Sequence, residues 1–313
     1  MINIRPYNSK DYSRVLTFLK KFNSEIVDGE WEKILEYKWE NKTGLVGMLL
    51  ESENEIVGFI SYIMHSITVN DLDYTHCNIS SWVVNPEFRA KSLQLLSPLF
   101  NIKNCTIINI SPHENTLPVF KALRFDILSE YEFVINPFKL KMHSLLAKGK
   151  GVNAEEIVFQ NIDTIDPKIR KIVEDHKFYK NVVFYKFYFK RNGVGENLIL
   201  AFNKKKFEIN SGTINILKEL PYKLLNYSYQ YELLYSSSNT TLSENITDVL
   251  LSFVKKASVR SITISDCFFN GKQMNLKYMS KNKKSRPWFV YSDNQINYSE
   301  INVLYSEKVL LNF

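Results

Sequence analysis

The sequence predicts an α/β protein of two domains, and three observations carry that expectation. A chain of 313 residues is longer than one ordinary domain. Its composition, 45% hydrophobic and 14% aromatic, can fill substantial cores and excludes a disordered chain. The third observation is an order of elements written twice: strand, polar connection, helix, strand. It runs once from Ile79 to Ile110 and again from Tyr229 to Ser265. We place the domains at residues 1–150 and 151–313.

Taken in order, Ile2–Pro6 reads as a first strand, and Ser9 is a plausible cap for the helix that follows. Val15, Leu16, Phe18 and Leu19 give that helix an apolar face. Trp31 to Trp39 reads as a second short helix. Gly44–Leu50 and Ile56–Ile63 form a hairpin whose polar turn is Glu51–Glu55. A strand over Ile79–Val84, a tight connection over Asn85–Phe88, a helix opening at Arg89–Leu93 and a strand over Cys105–Ile110 come next. Residues 138–155 read as a connector with a short amphipathic helix.

The second half holds a helix over Asp166–Asp175 with proline in its first turn. Strands are expected at Leu198–Asn203, Lys206–Asn210, Tyr229–Ser236 and Val259–Ser265. Between the last two, Leu242, Ile246, Val249, Leu250, Phe253, Val254 and Ala257 share one helix face. Lys281–Arg286 reads as a solvated basic loop and Glu307–Phe313 as a closing strand.

The motif residues lie in the middle of the first half. Val84-Asn85-Pro86 ends a strand, Arg89 opens the next segment, and Asn115 begins a stretch that closes on Phe125. This pattern resembles the core of the GNAT superfamily of acyl-CoA-dependent N-acyltransferases, and the element order of residues 1–137 is similar to theirs. The resemblance implies two GNAT-like domains, each a mixed, mostly antiparallel twisted sheet flanked by helices. The first is the expected acyl-CoA-binding domain; the second lacks the arginine and glycine signature and reads as substrate wall or scaffold.

In the resembling proteins a helix opening binds the pyrophosphate, because its first N–H groups point outward and the helix dipole adds positive charge. Carried over, that places the cofactor beside Arg89, Ala90, Lys91, Ser92 and Leu93, with Ser92 and Gln94 where glycines are usual. The resemblance further implies that the pantetheine arm pairs with the strand at Ser81, Trp82, Val83 and Val84, a main-chain pairing that demands no particular side chain. Asn115 and Phe120 complete the expected cofactor contacts. Phe120 stands where a tyrosine commonly protonates the departing thiolate, and phenylalanine has no proton to give. A thiol of pKa about 8.5 is a fair leaving group without it.

Around the expected thioester lie Tyr74, His76, Ser80, Ser111 and His113. His113, His76 and Ser111 are the candidates for general acid or base, His113 foremost because it follows a strand in a loop. A histidine on a strand, as His76 is, is more often structural. For the acceptor, Tyr74, Asp266, Trp288, Tyr291 and Asp293 are candidates, aromatic faces beside acidic groups suiting a base or sugar. The competing reading of Trp288 and Phe289 is core.

The two-domain resemblance points to transfer from acetyl-CoA or a longer acyl-CoA to a dTDP- or UDP-linked amino-deoxysugar. The alternatives are another small-amine or aminoacyl acceptor, or an inactive binding module on the same fold. A net charge of +7 favours phosphate-bearing ligands, but no nucleic-acid-binding motif accompanies it. Cys77, Cys105 and Cys267 are too few and scattered for a disulfide framework or a zinc site. No metal is expected. The opening residues lead straight into a strand and no long apolar run follows, so a cytoplasmic protein without membrane contact is expected. Subunit count is not legible.

Overall fold

The computed structural model describes residues 2–22, 28–69, 72–146, 152–157, 162, 165–191, 194–206, 229–270, 272, 274, 276–292 and 302–311. In chain order the strands are β1 (Ile2–Pro6), β2 (Gly47–Ser52), β3 (Glu55–Val69), β4 (Leu72–Val84), β5 (Cys105–Asn109) and β6 (Asp126–Ile135). They continue as β7 (Asn153–Glu156), β8 (Val182–Arg191), β9 (Val194–Lys206), β10 (Tyr229–Ser236), β11 (Val259–Ser265) and β12 (Met279–Ser292). The helices are α1 (Tyr12–Lys20), α2 (Asp28–Leu35), α3 (Leu117–Ala122), α4 (Pro137–Leu146), α5 (Pro167–Asp175), α6 (Asn239–Glu244), α7 (Ile246–Lys256) and α8 (Glu307–Leu311).

The chain forms two compact units. The first is Met1–Leu128 with Arg286–Asn297 and Tyr305–Asn312, and the second is Ser129–Ser285 with Tyr298–Leu304 and Phe313. The chain leaves the first unit after Leu128, ahead of the expected boundary near 150, and returns to it at Arg286.

Each unit is a mixed, mostly antiparallel sheet. In the first, the order is β1-β2-β3-β4-β5 with the last part of β12 beside β5. All neighbours are antiparallel except β4 and β5. In the second the order is β7-β8-β9-β10-β11-β6, again antiparallel except for one pair, β10 and β11. The repeated element order of the sequence is therefore a repeated topology. The second sheet is built from the consecutive strands β6 to β11, whereas the first takes its sixth strand, the last part of β12, from far along the chain.

The first sheet is covered on both faces. On one, Met48, Leu50, Ile60, Tyr62, Cys77, Ile79 and Ile107 pack with Leu95, Leu99, Phe120, Phe125 and Phe289. These alternate along their strands with residues of the opposite face, as a pleated strand requires. Val15, Phe18 and Leu19 form the buried face of α1, which packs on β3.

Several expected elements differ. The hairpin turn is tighter than Glu51–Glu55. Glu53 and Asn54 take positive φ, and β2 and β3 run up to them, which is the two-residue turn that matches strand twist. Strands β3 and β4 are much longer than expected because polar cross-strand partners, among them His65 with His76 and Ser66 with Thr75, hide the alternation. The cap before α1 is Asn8, not Ser9. Asn8 and Asp11 form a reciprocal capping box around a short 3-10 turn. The second helix ends at Leu35, short of Trp39.

The helix over 242–257 is two helices, α6 and α7, divided at Asn245. Lys281–Arg286 is no loop but part of β12. Lys281 lies over the Tyr131 ring at 3.9 Å, Lys283 pairs with Glu130 at 3.1 Å, and Lys284 donates to Ser265 at 2.8 Å. The closing strand is instead α8, whose Val309, Leu310 and Leu311 are all buried, as in a helix enclosed on every side. The expected strand Lys206–Asn210 lies beyond its first residue outside the described residues.

Candidate functional site

The site is built where β4 and β5 part. Their parallel ladder runs from Thr75↔Cys105 to Asn78↔Ile108 and ends there, while β4 continues to Val84. A bulge follows at once. The β3–β4 register passes from Phe59↔Val83 to Ser61↔Ser80, and Ser81 adopts φ 48°. An extra residue reverses which face the next side chains take. Ile79 lies in the Phe120 core, Ser80 points to the opposite face, and beyond the bulge Trp82 and Val84 pack against the Phe120 core. The bulge thus re-aims Trp82, whose ring meets Phe120 edge-on at 6.1 Å. Its Nε1 is buried with no hydrogen-bond partner among the described residues.

On the other face, β3 and β4 carry a polar stripe: Ser61, His65, His76, Asn78 and Ser80. The stripe meets α8. Glu307 donates its backbone N–H to Asn78 Oδ1 at 3.2 Å, and its carboxylate accepts hydrogen bonds from Ser111 Oγ and from the Ser80 side chain. Ser80 Oγ lies 3.4 Å from Ser81 Oγ. Ser80 lies two residues past Asn78 and Ser111 three residues past Ile108, the last pair of the ladder, so one carboxylate joins both sides of the opening. Glu307 is 2% exposed, and burial raises its pKa against the opposing pull of the two hydroxyls and Lys308. Sequence reasoning missed Glu307, which no local pattern distinguishes from a surface glutamate.

The other candidates are spread along β4, the turn after β5, and beyond. Ser111 is exposed on its outer side. His76 sits further back on β4, opposite Thr106 of β5. Burial lowers its pKa to about 4, and its Nδ1 has no hydrogen-bond partner among the described residues. His113 is exposed and caps the turn at Glu114–Thr116, its Nδ1 accepting the Asn115 N–H at 3.2 Å. That bond fixes Nδ1 as an acceptor and ties both His113 and Asn115 to the local turn. Tyr74 lies near the start of β4, opposite Ile67.

The helix opening expected at Arg89 begins instead at Pro86 and is a 3-10 helix to Leu95, followed by a second over Ser97–Asn101. Pro86 at the first position of one and Pro98 at the second position of the other preset the entry, and Pro98 removes the N–H that a longer α-helix would need. From Phe88, which donates to Asn85 O at 2.9 Å, each N–H of a 3-10 helix is used three residues back. Arg89, Ala90 and Leu93 are exposed and Lys91 and Ser92 half-buried. Their side chains, more than a fan of free N–H groups, are what this segment offers a phosphate.

Phe120 is fully buried, stacked on Phe289 at 5.3 Å and edge-on to Phe125 at 5.0 Å. One tail aromatic, Tyr291, joins the same packing. Trp288 is buried with Lys308 over its ring at 4.9 Å, and Tyr291 packs on Phe100 and Phe125. Asp266 belongs to the second unit. Its carboxylate accepts from Ser129 Oγ at 2.6 Å and from the Tyr131 N–H at 3.1 Å, which holds the start of β6. Asp293 lies outside the described residues. No group of three or more metal-ligating side chains occurs among the described residues.

A mixed, mostly antiparallel sheet with one parallel pair that separates beside a bulge, flanked by helices, is an α/β fold. Solved structures share it. A conserved protein of unknown function from Enterococcus faecalis V583, described as a probable N-acyltransferase, aligns with TM-score 0.54 and 11% identity over 93% of this chain and 72% of its own. A GCN5-related N-acetyltransferase from Anabaena variabilis aligns with TM-score 0.52 and 8% identity, over 93% and 72%. Another from Kribbella flavida gives 0.52 and 12%, over 93% and 71%. The chain therefore has the fold of the GCN5-related N-acetyltransferases. No protein-family model and no curated protein matches its sequence.

Proposed function

We propose that the chain is an acyl-CoA-dependent N-acyltransferase whose reaction takes place at the bulged end of β4. The observation that carries this is the end of the β4–β5 ladder at Asn78↔Ile108, with β4 running on through a bulge at Ser81. Such an edge suits main-chain pairing with the amide-bearing pantetheine arm. The orphaned Trp82 Nε1 is a donor available to the same ligand. Val83 and Val84 continue that edge, and Arg89, Lys91 and Ser92 follow it with side chains suited to phosphate. CoA would supply the activated acyl group as a thioester.

The acceptor we favour is the amine of a dTDP- or UDP-linked amino-deoxysugar, whose diphosphate suits a chain of net charge +7. Calorimetric titration with acetyl-CoA and a longer acyl-CoA is expected to show single-site binding in the first unit, weakened when Arg89 and Ser92 are both replaced by alanine. No heat at millimolar ligand overturns the reading and leaves a binding module on this fold. A screen of nucleotide-linked amino sugars against simple amines then decides the acceptor class.

A further inference from the structure

We propose that Glu307, acting through the hydroxyls of Ser80 and Ser111, takes up the proton that the acceptor amine loses during acyl transfer. This assignment rests on the acyltransferase reading. It starts from a convergence that packing alone does not require. One carboxylate, 2% exposed, is brought from the C-terminal helix to the point where β4 and β5 separate. There it accepts a hydroxyl hydrogen bond from each side of the opening, from Ser80 on β4 and from Ser111 beyond β5. Its own backbone N–H is fixed by Asn78.

A buried carboxylate costs several kcal/mol in desolvation unless it is paired or hydrogen-bonded. Here two neutral hydroxyls and the neighbouring Lys308 meet that cost only in part, and burial leaves the pKa raised. Raised basicity is what a proton acceptor needs, because a carboxylate in water is too weak a base for an ammonium-like intermediate. The groups facing it are accounted for. From β3 and β4 come Ser61, His65 and His76 along the same stripe. From α2, which packs against α8, the buried side chains are Trp31, Ile34 and Leu35, Glu30 is half-buried, and Glu32 and Lys33 are exposed.

Ser111, exposed on its outer side, and Ser81, 3.4 Å from Ser80 at the bulge, carry the chain of hydroxyls from the buried carboxylate to the slot. The neutral amine attacks the thioester carbonyl, forming the C–N bond. The C–S bond breaks and CoA leaves as thiolate. The amine proton passes to a serine oxygen as that hydroxyl hands its own proton to Glu307. The thiolate takes a proton from solvent, and Glu307 returns its proton to solvent, so the products are amide and CoA thiol.

The test uses the full chain and its Glu307→Gln and Ser111→Ala variants. In the free protein, carbon NMR of side-chain-labelled glutamate is expected to show one carboxyl titrating above the usual range near 4.3. That signal should vanish in Glu307→Gln and move further up in Ser111→Ala, which removes a donor to the carboxylate. Absence of any such carboxyl overturns the proposal. In transfer assays that follow CoA release from acetyl-CoA across the amine panel, the wild-type rate should rise with pH through that same titration. Glu307→Gln should be slower by about a hundredfold and lack that limb, with acetyl-CoA affinity unchanged. Release by the variant within threefold of wild type at every pH overturns the relay alone. No release by the wild type with any amine overturns the acyltransferase reading and the relay with it.

Discussion

Replacing Phe120 by alanine is expected to lower the unfolding free energy by about 3–5 kcal/mol. The side chain is fully buried between Phe289, Phe125 and Trp82, so its removal leaves a cavity that three rings and the sheet beneath them cannot collapse to fill. Denaturant unfolding should show the midpoint falling at an unchanged slope, the sign of lost stability without a changed unfolded state. A loss below about 1 kcal/mol would remove Phe120 from the core and reopen the position for chemistry. The size of this effect bears on mechanism. A residue that ties Trp82, β12 and the segment after α3 together is held by packing, which accounts for an apolar ring where the resembling proteins often place a proton donor. On the proposed acyltransferase reading, the proton acceptor then belongs to the opposite face of the sheet, where Ser80, Ser111 and Glu307 lie.

How much of this could be read from the sequence depended on the range of the interaction. Local signals served well. The apolar face of α1, the proline-started α5 and the β10–α7–β11 order all follow from periodicity and capping, which act within a few residues. The end of β4 was legible through Val84-Asn85-Pro86, because the end of a strand is a local event.

What stayed hidden was set by partners far along the chain. His65 looks unlike a strand residue until it is paired with His76 across the sheet. Lys281–Arg286 has the composition of a loop, and only contacts with Tyr131, Glu130 and Ser265 explain its place in a strand. Glu307 lies 196 positions from Ser111, and its neighbours Val309–Leu311 suit a strand as well as a helix. A buried charge is defined by its surroundings, and those exist only in the fold.

Arg5→Ala is expected to cost about 3 kcal/mol at neutral pH, because it strips two nearly buried carboxylates of their main partner. Arg5 grips Asp11 through Nη1 and Nη2 at 2.7 and 2.6 Å, and Glu51 through Nε and Nη2 at 2.8 and 2.9 Å. Arg14 adds a second contact to each, at 3.4 and 3.0 Å. The cluster fastens β1 to β2 and to the turn that opens α1, so it holds the outer strands of the first sheet. Hydrogen bonding from Arg5, ahead of every other cause, lowers the pKa of both Asp11 and Glu51.

The sign follows from linkage. Carboxylates with folded pKa values below their unfolded ones stabilise the fold above the unfolded values, about 4. That stabilisation is lost as pH falls through the folded values. Wild-type stability should therefore drop steeply in acid, while Arg5→Ala starts lower at pH 7 and declines on a shallower slope. The two curves should converge as both carboxylates become protonated. Arg5→Lys should fall between them, since an ammonium cannot offer two carboxylates paired donors at once. Parallel curves with a constant gap would show that Arg5 acts through the packing of its stem instead of its charge. Convergence would place the stability of the outer strands in the ion cluster and leave the slot at β4 and β5 to be held by the aromatic core around Phe120.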